Sequence, residues 1–147
     1  MSGVMIVTGG SRGIGAAISR RAAKCGFDVC VNYARAKDRA EEVVQDVIQA
    51  GQRAIAVQAD VSTEAGVVEL FRQTDAELGS VTALVNNAAI DYETAIVDAD
   101  LERIHGVFNL NIFAVFVSAR EAIKRMSTKH GESGGVIVNV GSIASRY

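Results

Sequence analysis

Residues 8–15 read Thr-Gly-Gly-Ser-Arg-Gly-Ile-Gly, TGGSRGIG, and follow directly on the apolar run Val4–Val7. Glycine serves where a backbone must turn tightly or approach a ligand closely. Gly9, Gly13 and Gly15 fall where the apolar run gives way to a helical pattern. A helix that starts at such a turn presents unpaired N–H groups and the positive end of its dipole, both suited to a pyrophosphate. A glycine-rich turn acquires this meaning only between a strand and a helix at the head of a βαβ series. The turn therefore predicts a dinucleotide site formed by Gly9, Ser11, Arg12, Gly13, Ile14 and Gly15, provided the rest of the chain supplies that series.

It does. Short apolar runs bounded by turn or polar residues predict strands at Val4–Thr8, Asp28–Tyr33, Ala54–Ala59, Ala83–Asn86 and Val136–Val140. Between them, helical spacing of Ile14, Ile18, Ala22 and Cys25 predicts a helix over Gly13–Cys25. Val43, Val44, Val47 and Ile48 do the same for Lys37–Ala50, which stops at Gly51. Val67, Val68, Phe71 and Leu78 mark Thr63–Leu78, with Thr63 as the expected cap. A fourth, longer helix over Leu101–Met126 is the most apolar and predicts burial on two sides, the second against a partner subunit. Strands alternating with helices form right-handed crossovers and a parallel sheet covered on both faces. The expected fold class is α/β, a doubly wound parallel sheet of the Rossmann type. No linker-like stretch divides the chain, so residues 1–147 are expected to form one domain.

Apolar residues make up 49% of the 147, charged residues 22%, and the net charge is −2. That composition is globular, and no basic field favours nucleic acid. The N-terminus lacks a basic leader before an apolar run, and no stretch of about 18 uncharged apolar residues is seen, so neither signal peptide nor membrane span is expected. Cys25 and Cys30 are expected as reduced thiols, consistent with a cytoplasmic location. His105 and His130 lack metal-ligand spacing, and no metal is expected.

The end of the second strand decides the cofactor form. A carboxylate there would hold a ribose 2′-hydroxyl, as NAD requires. The chain instead has Asn32-Tyr33-Ala34-Arg35, without an acid. A carboxylate would repel a 2′-phosphate, whereas small and cationic groups accept it. Tyr33, Ala34 and Arg35, with Arg12, are therefore expected to take a 2′-phosphate, predicting NADP(H) in preference to NAD(H). Lys37 and Arg39 are read as charges on a solvated helix start. The missing acid also disfavours S-adenosylmethionine.

The spacing Gly-x-x-x-Gly-x-Gly after Thr8 resembles that of the short-chain dehydrogenase/reductase family. Asp60-Val61 closes the third strand, Asn86-Asn87-Ala88-Ala89 ends the fourth, Asn111 lies on the long helix, and Ser142 follows the fifth strand in GGVIVNVGS. Each is similar to a family motif, in the family's order. VNYARAKDRAEEVV and AREAIKRMSTKHG further resemble bacterial glucose dehydrogenase-like and 3-oxoacyl-carrier-protein reductase-like members. The resemblance implies hydride transfer between a nicotinamide and a small carbonyl or alcohol substrate, by a homo-oligomer, dimer or tetramer. It implies that Asp60 and Val61 meet the adenine, and that Asn86, Asn87 and Ala88 line the cofactor. It assigns Ser142 to the carbonyl oxygen and Asn111 to a water-linked proton path, its side chain interrupting the helix.

Two departures stand out. The family has glycine where Ala89 stands. The family's Tyr-x-x-x-Lys is not matched by Tyr33, Tyr92 or Tyr147. Tyr147, five residues past Ser142, is read as a loop residue. The expectation is then an incomplete chain, the N-terminal part of a seven-stranded domain and inactive by itself. The alternative is a non-catalytic dinucleotide-binding or sensing module.

Overall fold

The structure is a computed structural model describing residues 3–142. Its elements run β1 (Val4–Val7), α1 (Gly13–Lys24), β2 (Asp28–Tyr33), α2 (Lys37–Gln49), β3 (Ala54–Gln58), α3 (Glu64–Glu77), β4 (Ala83–Asn86), α4 (Leu101–Phe108), α5 (Ala114–Met126) and β5 (Val136–Asn139). The five strands form one parallel sheet ordered β3-β2-β1-β4-β5. From β1 the chain winds outward through β2 and β3, then returns to β1's other side for β4 and β5. The direction of winding reverses between β1 and β4, and the glycine turn leaves β1 at that point.

Strand alternation divides the core between the two faces. Ile6, Cys30 and Leu84 pack with Leu70, Phe71, Val67 and Ala122 of α3 and α5. Their neighbours Val7, Val29, Val31 and Val85 pack on the other side with Ala16, Ala22, Val43 and Val47 of α1 and α2. Burial pushes the Cys30 thiol up to about 12, so it stays protonated and serves as a small apolar residue. Cys25, the residue that ends α1, is exposed, and neither thiol is in a disulfide.

Buried charges are paired. Asp28, at the start of β2, accepts from the backbone N–H and Nε of Arg53, both at 2.9 Å, while an Arg53 Nη donates to Leu78 O at 2.6 Å. One carboxylate thus joins the starts of β2 and β3 to the end of α3. Between α3 and α5, Glu121 accepts from Lys124 at 2.7 Å and from Arg125 and Arg120 at 3.2 Å. Burial alone would raise its carboxyl pKa, but these bonds outweigh burial and hold it below the usual carboxylate range. Arg125 also bonds Asp75 at 2.7 Å and lies 5.0 Å from the centre of the Phe71 ring.

Thr63 caps α3 as expected, its Oγ1 accepting from Gly66 N at 3.1 Å. The long fourth helix is neither continuous nor covered all round within this chain. It is split by a π-helical segment, Asn109–Phe113, between α4 and α5. Within this chain it buries one stripe. Ala114, Ser118, Ala122 and Met126 face the core, while Phe113, Phe116 and Ile123 are more than half exposed. By length and apolar composition Leu101–Met126 would also suit a membrane span, which a search for fully uncharged stretches passes over. In this fold the same apolarity packs one stripe and leaves another open.

Phe71, fully buried between sheet and α5, is the largest such side chain. Replacing it with alanine should remove about 3–5 kcal/mol, read as a lower urea midpoint with an unchanged slope.

Candidate functional site

A cleft of about 1000 Å³ opens over the carboxyl ends of β1, β2, β3 and β4. Open α/β sheets bind ligands at such a reversal of winding. One wall is the glycine turn, with Gly9, Ser11, Arg12, Gly13 and Ile14. The far end of β2 contributes Asn32, Tyr33, Ala34 and Arg35, and the end of β3 contributes Ala59, Asp60, Val61 and Ser62. Asn87, Ala88, Ala89 and Ile90 close the opposite side, with Gly106 and Leu110 of the long helix above them.

The turn's shape is dictated from three directions. Thr8 Oγ1 donates to Val85 O at 3.3 Å and accepts from Asn87 N at 2.9 Å and Ala88 N at 3.0 Å. Asn87 Nδ2 returns two bonds, to Thr8 O at 2.9 Å and Gly9 O at 3.2 Å. From the other side, Asn32 Oδ1 accepts from Gly9 N at 3.2 Å. The Asn32 amide nitrogen donates to Val57 O at 3.4 Å and Ala59 O at 3.0 Å. Asn32 thereby couples the turn to the end of β3.

This closeness explains two of the glycines. At Gly9, φ is +61°, and a Cβ would lie 3.1 Å from Ala88 Cα. A Cβ on Gly15 would run into Gly9 O and stand 2.6 Å from Asn87 Nδ2. Gly15 is buried beneath the turn and does not face the cleft; its part is to let α1 approach the turn. The Ala89 departure is harmless to the backbone, since no non-glycine residue among the described ones has positive φ.

Charge in the cleft is one-sided near β2. Arg12 and Arg35 are exposed, and their guanidiniums have no ion pair or hydrogen-bond partner among the described residues. Asp60, the nearby acid, is engaged in its own turn, accepting from Ser62 N at 3.0 Å and Ser62 Oγ at 2.7 Å. The cleft thus fits a dinucleotide in size, in its glycine cradle and in its unpaired cations.

The remaining candidates lie around the rim. Asn86 is buried, and its Nδ2 donates to Asn139 Oδ1 at 2.9 Å, tying β4 to β5. Val140 N donates to Asn86 O at 2.9 Å, which carries the pairing past β5 and sets Ser142, exposed, at the same end of the sheet. Asn111 sits in the π segment. Its Nδ2 donates to Ile90 O at 2.8 Å and its Oδ1 accepts from Ile90 N at 3.0 Å. The helix is therefore interrupted at Asn111, as expected, and both ends of its amide bond Ile90 at the cleft wall. π segments of this kind are frequent at functional sites. Tyr147 lies outside the described residues. Among the described residues no three His, Cys, Asp or Glu side chains converge.

Two residues stand in the quoted stretches without being given a role there. Thr8 and Asn32 reach the glycine turn only through pairings across the sheet, with Asn87 and Ala88 nearly 80 residues away for Thr8. A buried polar residue at a strand end was the available signal.

Fold and site together have the form of a dinucleotide-binding α/β domain of the Rossmann type. The family model for short chain dehydrogenases matches residues 3–147, and the chain belongs to that family. It is 45% identical over 144 residues to the uncharacterized oxidoreductase YgfF of Escherichia coli, covering 97% of this chain and 58% of that one. To a 3-oxoacyl-[acyl-carrier-protein] reductase of Synechocystis it is 38% identical, covering 96% and 56%. A short chain dehydrogenase from Burkholderia cenocepacia, solved in complex with NADP, superposes with a TM-score of 0.89 at 37% identity, covering 97% and 56%. The chain spans just over half the length of the relatives it matches.

Thr8→Val keeps the shape of the side chain and leaves the Asn87 and Ala88 N–H groups without their acceptor. It should cost about 2 kcal/mol of stability and weaken dinucleotide binding, with Thr8→Ser restoring both. Equal behaviour of the valine and serine variants in thermal melts and ligand titrations would remove the role assigned to the hydroxyl.

Proposed function

We propose that these residues are the NADP(H)-binding part of a reductase that moves hydride between a nicotinamide and a carbonyl or alcohol substrate. The observation that carries this reading is the β2 end, which faces the cleft with Arg12 and Arg35 unpaired and no acid. The NADP bound to the Burkholderia relative and the reductase activity in the Synechocystis relative's name support it.

In this reading the glycine turn, with Ser11 and Ile14, and the start of α1 hold the pyrophosphate. Tyr33, Ala34, Arg35 and Arg12 surround the 2′-phosphate, and Asp60 and Val61 border the adenine. Asn86, Asn87 and Ala88 shape the wall toward the nicotinamide, Asn86 by holding β5 in place. When bound, the cofactor supplies or accepts the hydride. As charge develops on the substrate oxygen, Ser142 donates a hydrogen bond to it. Asn111 fixes Ile90 with its side chain, so the backbone of the widened π turn is what it offers to a water on the proton path. The exposed stripe of Phe113, Phe116 and Ile123 is covered in a homo-oligomer of the full-length protein.

Calorimetric titration of the full-length protein should give NADPH binding at least about tenfold tighter than NADH. NADH binding as tight as NADPH defeats the assignment. Ser142→Ala should lower kcat/KM for carbonyl reduction by about 100-fold while leaving NADPH affinity unchanged. Tight NADPH binding with no turnover across a carbonyl panel would favour the non-catalytic dinucleotide module instead. The 147 residues alone, without Tyr-x-x-x-Lys, should reduce no carbonyl.

For the oligomer, sedimentation should show a dimer or tetramer that Phe116→Glu shifts to smaller species. A wild-type protein that sediments strictly as a monomer would refute it.

A further inference from the structure

The sequence reads Arg39 as a charge on a solvated helix start; the structure has it exposed in the first turn of α2 and, in addition, at the edge of the cleft. Arg39 lines the large cleft together with Arg12 and Arg35. It also lines a smaller groove of about 480 Å³ between α1 and α2, with Ser11, Arg12, Gly13, Arg20 and Glu42. Arg39 therefore stands on the boundary between the two, directly across from the glycine turn.

Its electrostatic situation is unfavourable as it stands. Arg39 is the third residue of α2, and a cation in a helix's first turn opposes the positive end of the dipole. Lys37, in the same turn, is compensated by Glu41 at 3.5 Å. Arg20, which shares the groove, bonds Asp46 at 2.7 Å. Arg39 has no such partner among the described residues, although Glu42 lies three positions on and lines the same groove. Three unpaired guanidiniums, Arg12, Arg35 and Arg39, thus border one end of one cleft. Like charges gathered this way repel, and a phosphate monoester of about −1.5 to −2 charge relieves that repulsion. Asp60, the acid on the cleft wall, bonds Ser62 and forms no ion pair with them among the described residues.

We infer that Arg39 is a third holder of the nucleotide 2′-phosphate and a determinant of NADP(H) over NAD(H) preference. It closes the phosphate from the α2 side while Arg12 and Arg35 hold it from the turn and from β2. The inference rests on the NADP(H) reading above. Its ligand chemistry is a ribose 2′-phosphomonoester, so 2′,5′-ADP and 5′-AMP are the discriminating probes, free of any catalytic step.

The test is a titration of the full-length protein and its Arg39→Ala and Arg39→Lys variants with both probes, at two salt concentrations. Arg39→Ala should weaken 2′,5′-ADP about tenfold and leave 5′-AMP within about twofold. Arg39→Lys should fall between, and the salt dependence of 2′,5′-ADP binding should be shallower in the alanine variant. Because Arg39 is exposed, thermal melts should coincide with wild type. Unchanged 2′,5′-ADP binding in Arg39→Ala, or equal loss for both probes, overturns the assignment while leaving NADP(H) binding intact. A wild-type protein that binds 2′,5′-ADP no tighter than 5′-AMP overturns the NADP(H) reading itself, and this inference with it.

Discussion

The hydroxyl of Thr8 is the point on which the site depends. One oxygen atom donates to β4 and accepts from the two backbone N–H groups that follow it. The end of β1 and the exit of β4 are thereby locked at the place where the sheet reverses its winding. Asn87 returns two bonds to the same turn, and Asn32 grips it from β2. Once those contacts are made, little space remains. A Cβ at Gly9 or Gly15 would enter the atoms of Asn87, Ala88 or the turn itself. Gly9 and Gly15 thus answer first to close packing of protein against protein, while Gly13, with φ +53° and open space around it, answers to backbone conformation. The exposed N–H groups offered to a phosphate are a consequence of that packing.

The second support of the cleft lies at its other end and uses the same device. Asn111 places a side-chain amide against a backbone amide, satisfying Ile90 N and O together. Through that pair the long helix is tied to the loop that leaves β4, and the loop in turn forms the cleft wall. Behind it, α5 is fastened to α3 by the cluster of Glu121, Arg125 and Asp75. A buried carboxylate with one partner removed would be costly, so the cluster holds the helix that carries Asn111 in a single position.

Much of this was legible from the chain. The strand and helix positions follow from periodicity, because a parallel sheet buries both faces and each helix buries one stripe. The five strands and their flanking helices lie where the apolar runs and the glycine stops place them, with ends differing by a residue or so. Thr63 as a cap was readable for local reasons, whereas the interruption at Asn111 came only from the family resemblance. Which stripe of the fourth helix packs within this chain was not legible. Its composition records how apolar it is, and which of its faces meets the rest of the protein is a property of the assembled fold.

The sequence by itself determined the fold class, the glycine turn and the absence of an acid at the end of β2, since each is a matter of residue type at a local spacing. Only the tertiary structure decided that Thr8 and Asn32 hold the turn, that Asn111 is committed to Ile90, and that Arg39 faces the cleft. These depend on pairs of groups brought together from 20 to 80 positions apart. Periodicity says which side of an element is apolar. It carries no record of which polar groups will meet once the sheet closes around the turn.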